Sequence, residues 1–150
     1  MLLLLGASVI ATGSGLGLLL EGCAPAAPVT VTLQVDISSI RPGVPLEVSF
    51  SMTNASGASV ASSVWLLKGA DGSLTAYDPR CTHALCRYKW SAAAAKFKCN
   101  CHGGEYAIDG TVLAGPPPRP LNKFPLRQSG GVVVVDVPGD FVTPRESLTT

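Results

Sequence analysis

From Val29 onward, apolar and polar side chains alternate in short runs of period two. Such alternation predicts half-buried β-strands, because successive side chains point to opposite faces. Val29 to Ile37 (VTVTLQVDI) and Leu46 to Met52 (LEVSFSM) read this way, separated by a turn over Arg41-Pro42-Gly43-Val44-Pro45. Thr53 to Ser63, rich in Ser, Ala, Asn and Gly, reads as a loop. Ser63 to Lys68 and Ser73 to Tyr77 read as a hairpin around Asp71-Gly72, a favoured two-residue turn, with Trp65 in the core. Lys96 to Lys98 and Glu105 to Ile108 read as short strands, with Asp109-Gly110 a turn after them. Ser91 to Ala95 suits either a helical turn or a loop. Gly131 to Val137 (GVVVVDV) reads as the last, well-buried strand and Gly139 to Thr150 as a frayed tail. No internal repeat interrupts this series. Short strands punctuated by Gly and Pro predict an all-β fold, a sandwich or small barrel.

The first 20 residues break the pattern. They carry no charge, and a 20-residue helix spans about 30 Å, the thickness of a hydrocarbon core. We read residues 1–20 as a transmembrane anchor in preference to a cleaved signal segment, although no Lys or Arg precedes the apolar run. Cys23, after Leu20-Glu21-Gly22, fits a lipoprotein cleavage site poorly because of the Glu. Residues 21–28 form a Pro/Ala linker, semi-rigid in character. One domain over residues 29–138 follows, with room for a real core.

Charge narrows the partners. The formal net charge is +1 and only 14% of residues are charged, so no large field invites nucleic acid.

The chemistry is concentrated. Cys81-Thr82-His83-Ala84-Leu85-Cys86 and Cys99-Asn100-Cys101-His102-Gly103-Gly104 hold four of the five cysteines and both histidines. Thiolates and imidazoles gathered so densely are metal-site chemistry. Six donors exceed the four of a structural zinc site. A zinc-stabilised exported domain and a pure disulfide scaffold are the plain alternatives, and the latter gives the histidines no purpose. The two boxes, C-T-H-x-x-C and C-x-C-H-G-x, with Gly115-Pro116-Pro117-Pro118 downstream, resemble the Rieske iron–sulfur proteins. The similarity is strongest to the disulfide-bearing subunits of cytochrome bc-type and bf-type complexes, and it directly covers about residues 81–120.

That resemblance implies a set of expectations. Cys81, His83, Cys99 and His102 would hold a 2Fe-2S cluster, two thiolates on one iron and two imidazoles on the other. Cys86 and Cys101 would form a disulfide, which places the domain outside the cytoplasm, on the extracytoplasmic side of the membrane. The cluster-binding subdomain, near 80–120, would be inserted in a β base domain. The function implied is electron transfer from membrane quinol to a cytochrome c-type or copper carrier, beside a cytochrome b-type membrane subunit, with no independent catalysis. His102 would dock the quinol with His83 exposed beside it, and residues 21–28 would act as a hinge. Tyr106 would donate to the Cys81 sulfur, and residues 115–118 would form a proline loop over the cluster. The family's docking tip often has Leu after the first-box histidine and then Gly; here Ala84 and Leu85 stand there. Gly104 stands where many relatives carry a Ser that donates to the cluster, so a lowered potential suited to menaquinol rather than ubiquinol is expected. The small subunit of an arsenite oxidase is the second reading. A ring-hydroxylating oxygenase ferredoxin fits less well, since those usually lack the paired cysteines and the anchor.

Overall fold

The computed structural model describes residues 25–146, and all its regular elements but one short 3-10 turn (Ile37–Ser39) are strands. Among the described residues no helix is long and apolar enough to cross a membrane. The expected anchor over residues 1–20 and Cys23 lie outside the described residues, as do residues 21–24 of the linker.

Two sheets close over one core. The first joins β1 (Val29–Leu33), β11 (Val132–Val137) and β10 (Leu126–Ser129); the second runs β2 (Leu46–Thr53), β3 (Ser59–Lys68), β4 (Leu74–Tyr77), β9 (Lys123–Phe124). Alternation sends Val31 and Leu33 inward from β1, and Phe50 and Met52 inward from β2. They meet Val60, Val64 and Leu66 of β3 and Val133, Val135 and Val137 of β11. Val134 is buried too, as the unbroken valine run implied. β10 turns into β11 through Gly130 and Gly131, at φ +58 and +84. Positive φ at both central residues is what a type I′ hairpin demands, and glycine supplies it without strain.

Several boundaries differ from the expectation: the first strand, expected to reach Ile37, ends at Leu33, and the strand expected over Glu105 to Ile108 spans Gly104–Tyr106. β3 begins at Ser59, four residues before the start expected at Ser63, and shortens the loop expected over Thr53 to Ser63. Small polar residues hid this strand start, because Ala61 and Ser63 face away from the core while Val60 alternates into it. The hairpin after β3 pairs Lys68 with Leu74, so its connection is longer than two residues. Asp71 Oδ1 accepts from the Ser73 backbone N–H at 3.0 Å and the Ser73 hydroxyl at 2.7 Å, and Gly72 takes φ +84.

The chain leaves the base at the end of β4 and rejoins it at β9, which pairs back onto β4 through Ala76↔Phe124 and Tyr77↔Lys123. Everything between is an inserted subdomain, an antiparallel meander of β5 (Lys89–Ser91), β6 (Lys96–Cys99), β7 (Gly104–Tyr106) and β8 (Val112–Ala114). Its inner face is aromatic. Phe97 is the hub, with ring centroids 5.5 Å from Trp65, 6.0 Å from Tyr77, 5.3 Å from Tyr88 and 4.9 Å from Trp90. Trp65 and Tyr77 belong to the base, so this second core bolts the subdomain onto β3 and β4. The undecided stretch Ser91 to Ala95 turns the chain from β5 to β6, with Ala95 at φ +48.

The frayed tail expected from Gly139 does not hold for the described part. Phe141 is fully buried against Phe50 and Phe124. The Ala55 N–H donates to the Gly139 carbonyl at 2.8 Å, and Gly139 lies so close to the Ala27 carbonyl that no Cβ would fit. Arg145 extends the first box: its N–H donates to the Leu85 carbonyl at 2.9 Å, and its carbonyl accepts from the Arg87 N–H at 2.7 Å.

Candidate metal centre

Each box is a tight loop hung from a rigid element. The first follows β4 and closes on itself, the Cys81 N–H donating to the Cys86 carbonyl at 2.8 Å and the Leu85 N–H to the Cys81 carbonyl at 3.0 Å. Its entry is fixed by Asp78, which is 1% exposed and holds the Arg80 guanidinium through both carboxylate oxygens at 2.7 to 3.1 Å. Arg80 in turn lies 4.1 Å from the centre of the Phe141 ring. The second box is the connection from β6 to β7. A disulfide joins Cys86 to Cys101, with the two Cα atoms 6.5 Å apart, and so locks the tips of the two loops together. Its sulfurs lie within 4.8 Å of the Cys99 sulfur.

The four remaining donors stand in two pairs, sulfur beside sulfur and ring beside ring. Cys81 and Cys99 are free, buried and hydrogen-bonded to each other. His83 and His102 are exposed, their rings edge-to-face with centroids 4.7 Å apart. The result is a dry thiol end and a wet imidazole end, with one donor of each kind from each loop. Their hydrogen bond drives the two thiols in opposite directions. Accepting from Cys99 holds the Cys81 thiol down to about 5, and the Tyr106 hydroxyl and the His83 and Ala84 N–H groups add to this against burial. Cys99 keeps the proton and is pushed up, first as the donor to Cys81 and then by burial. A pocket in which charge already rests on sulfur suits thiolate ligation.

Tyr106 approaches the buried thiols from the subdomain's inner face. Its ring is fully buried and its oxygen is 3.1 Å from the Cys81 sulfur. The Thr82 backbone N–H donates to that oxygen at 3.1 Å. Burial, with the hydrogen bond to Cys81 next, pushes the phenol up to about 12, so it remains a proton donor.

The proline loop lies directly on the second box. A Cβ on Gly104 would come 2.8 Å from Pro117 Cγ, and one on Gly115 would come 2.5 Å from the Gly103 carbonyl oxygen. Gly115 also takes φ +87. Pro117 is buried by this contact while Pro116 and Pro118 stay exposed. At the tip, Leu85 is 39% exposed at φ +58, the left-handed region that favours glycine.

Sequence reading missed the supports. Arg87, next to the disulfide, donates from Nε to Glu146 at 2.7 Å and from one terminal nitrogen to Glu47 at 3.0 Å and Ser63 at 2.8 Å. It ties the first box to the base and to the C-terminal segment together. A cavity of about 550 Å³ opens beside His102 between Ala84, Asn100, the disulfide, Arg145 and Glu146. The only advance signal for these groups was charge set against a box, in Asp78-Pro79-Arg80 before Cys81 and Arg87 after Cys86.

Comparison with known proteins agrees with this geometry. The family model of the Rieske [2Fe-2S] domain matches residues 34–125. The cytochrome b6-f complex iron-sulfur subunit of Chlorobaculum tepidum is 41% identical over 66 residues, 44% of this chain and 36% of that protein. The chloroplastic cytochrome b6-f complex iron-sulfur subunit of Bigelowiella natans is 43% identical over 74 residues, 47% of this chain and 29% of that protein. The chain thus spans about a third of the length of these curated relatives. The crystal structure of the cyanobacterial plasma membrane Rieske protein PetC3 from Synechocystis PCC 6803 superposes with a TM-score of 0.50 at 31% identity, over 71% of this chain and 97% of that one.

Proposed function

Because the chain belongs to the Rieske [2Fe-2S] domain family, we propose that it is the electron-transfer subunit of a membrane quinol-oxidising complex. In this reading Cys81 and Cys99 hold one iron of the 2Fe-2S cluster, and His83 and His102 hold the other. The cluster supplies reversible one-electron storage at a potential raised by imidazole ligation, within about −150 to +300 mV. The protein supplies the rest. The observation that carries the reading is the pair of exposed imidazoles, 4.7 Å apart, above two buried thiols. Each ligating ring keeps its other nitrogen at the surface, where it can accept a hydrogen bond from a quinol and hold its proton. Ligand bonds on one nitrogen and proton affinity on the other are linked through the same ring, so electron and proton uptake go together. The buried thiol side, closed by Pro117 and the disulfide, keeps water off the sulfurs.

The partners follow from the same chemistry: a cytochrome b-type membrane subunit that presents the quinol, and a cytochrome c-type or copper carrier that takes the electron. His102 docks the quinol, with His83 beside it. Gly104 brings no hydroxyl to the cluster, and fewer donors stabilise the reduced state less, which favours menaquinol as the donor. The disulfide supports an extracytoplasmic position, held to the membrane by the segment before residue 25.

Electron paramagnetic resonance of dithionite-reduced membranes, followed by redox titration against pH, tests this. A reduced-cluster signal whose potential falls with rising pH is expected. A colourless, silent protein that carries zinc would end the proposal, and so would a potential that ignores pH.

A further inference from the structure

Charge is divided unequally along this chain. Residues 78–122 hold six basic and three acidic side chains, and the rest of the sequence holds five basic and seven acidic. A formal +1 therefore conceals +3 on the inserted subdomain and −2 elsewhere. The excess gathers on the outer face of its sheet. Phe97 and Tyr106 are fully buried on the inner face, so the alternating positions Lys89, Lys96, Lys98 and Glu105 stand outward. Lys89 sits directly opposite Lys98, and Lys98 directly opposite Glu105. Glu105 is already engaged by Lys96 at 2.6 Å, with Lys98 at 3.9 Å from its other oxygen. Lys89 has no acidic partner among the described residues.

Like charges facing each other across a strand pair work against the sheet. Their place in the fold indicates a use. Lys98 immediately precedes Cys99, and Lys89 stands three residues after Cys86. The positive ladder thus begins where the metal-binding loops begin, at Lys89 and Lys98, and runs down the side of the subdomain through Lys96, towards the turn at 92–95. A cation face beside an exposed redox edge attracts anionic surfaces and orients them there. Such steering raises association rates by about 10 to 10³ and weakens steeply with salt.

We propose that Lys89 and Lys98 form a docking face for an electron-carrier protein whose own surface is acidic around its redox centre. The inference deepens the proposed function and rests on it, since it names the chemistry of the electron acceptor.

The test uses the full chain in detergent with both proteins oxidised, so that binding is read without turnover. The probes are an acidic plastocyanin and a basic cytochrome c, titrated by calorimetry or NMR line broadening across ionic strength. Affinity for plastocyanin is expected to fall with salt, to drop about tenfold at low salt in Lys89→Glu/Lys98→Glu, and to be retained by Lys89→Arg/Lys98→Arg. Equal affinities for both carriers, or an unchanged plastocyanin affinity in the charge-reversed chain, would overturn it. Loss of binding to phosphatidylglycerol vesicles alone would assign the face to lipid, and loss of self-association alone would assign it to a second copy; either also overturns it. The same samples give a resonance signal after reduction. Charge-independent binding in a chain that shows that signal defeats this inference only, whereas its absence defeats the electron-carrier reading itself.

Discussion

The missing side chain at Gly104 is a packing fact before it is an electronic one. A Cβ there meets Pro117 Cγ at 2.8 Å and Cys99 Cβ at 3.5 Å, so a serine would have to displace the proline ring before its hydroxyl reached anything. A serine here is therefore a packing change as well as an added donor. We expect Gly104→Ala to loosen the loop with no gain in potential. Gly104→Ser should lie above the alanine variant by one hydrogen bond, about 1 kcal/mol or about 40 mV for one electron. Redox titration of the two decides, and equal potentials would show that the hydroxyl does not reach the cluster. Tyr106→Phe removes the donor 3.1 Å from the Cys81 sulfur and should lower the potential by a similar amount in the same titration. An unchanged value would make the tyrosine a packing residue only. Leu85 holds φ +58, at a cost of roughly 1 to 2 kcal/mol for an L residue. Leu85→Gly should therefore raise the denaturation midpoint, and a fall would mean that the leucine contacts outweigh the backbone cost. The four donors and the disulfide cysteines were legible in sequence because each box is a local loop whose spacing sets its geometry. Arg87 was not, because its acceptors stand 24 to 59 positions away.

Among strands of six residues or more, β2 was legible from its alternation and β11 from its unbroken valine run. β5, β8, β9 and β10 were not, since two to four residues cannot display a period and their pairing is set by the neighbouring strand. The C-terminal segment misled for a different reason. Pro138, Gly139 and the polar residues after Thr143 look like solvated chain, and the one apolar anchor that matters, Phe141, has no periodic companion. Yet that ring fills the base core and underlies Arg80, which fixes the entry to the first box through Asp78. Phe141→Ala should cost about 3 to 5 kcal/mol of stability, read by denaturant unfolding. It should also broaden the cluster resonance, because the Asp78–Arg80 pair loses its floor. A loss below about 1 kcal/mol would return the segment to the status of a tail.

The molecule has two cores, and only one carries the chemistry. The aliphatic core holds the base sheets together, and the aromatic core around Phe97 seats the subdomain on Trp65 and Tyr77. Cys81 and Cys99 lie at the edge of the second core and belong to it, while His83 and His102 stand exposed outside it. The rings packed around Phe97 hold one another without any metal. The disulfide, closing 15 residues, contributes about 3 kcal/mol in the chain-entropy model. Iron removal and disulfide reduction should therefore act at different levels. Chelation alone should expose the amides of the two boxes and the proline loop to hydrogen exchange, while β6 and β7 stay protected. Chelation with a reductant should release β6 and β7 as well, and leave β2, β3 and β11 closed. Loss of protection in β6 and β7 on chelation alone would mean that the cluster, and not the aromatic core, holds the subdomain together. Simultaneous loss in β2 and β3 would mean that the two cores form a single cooperative unit.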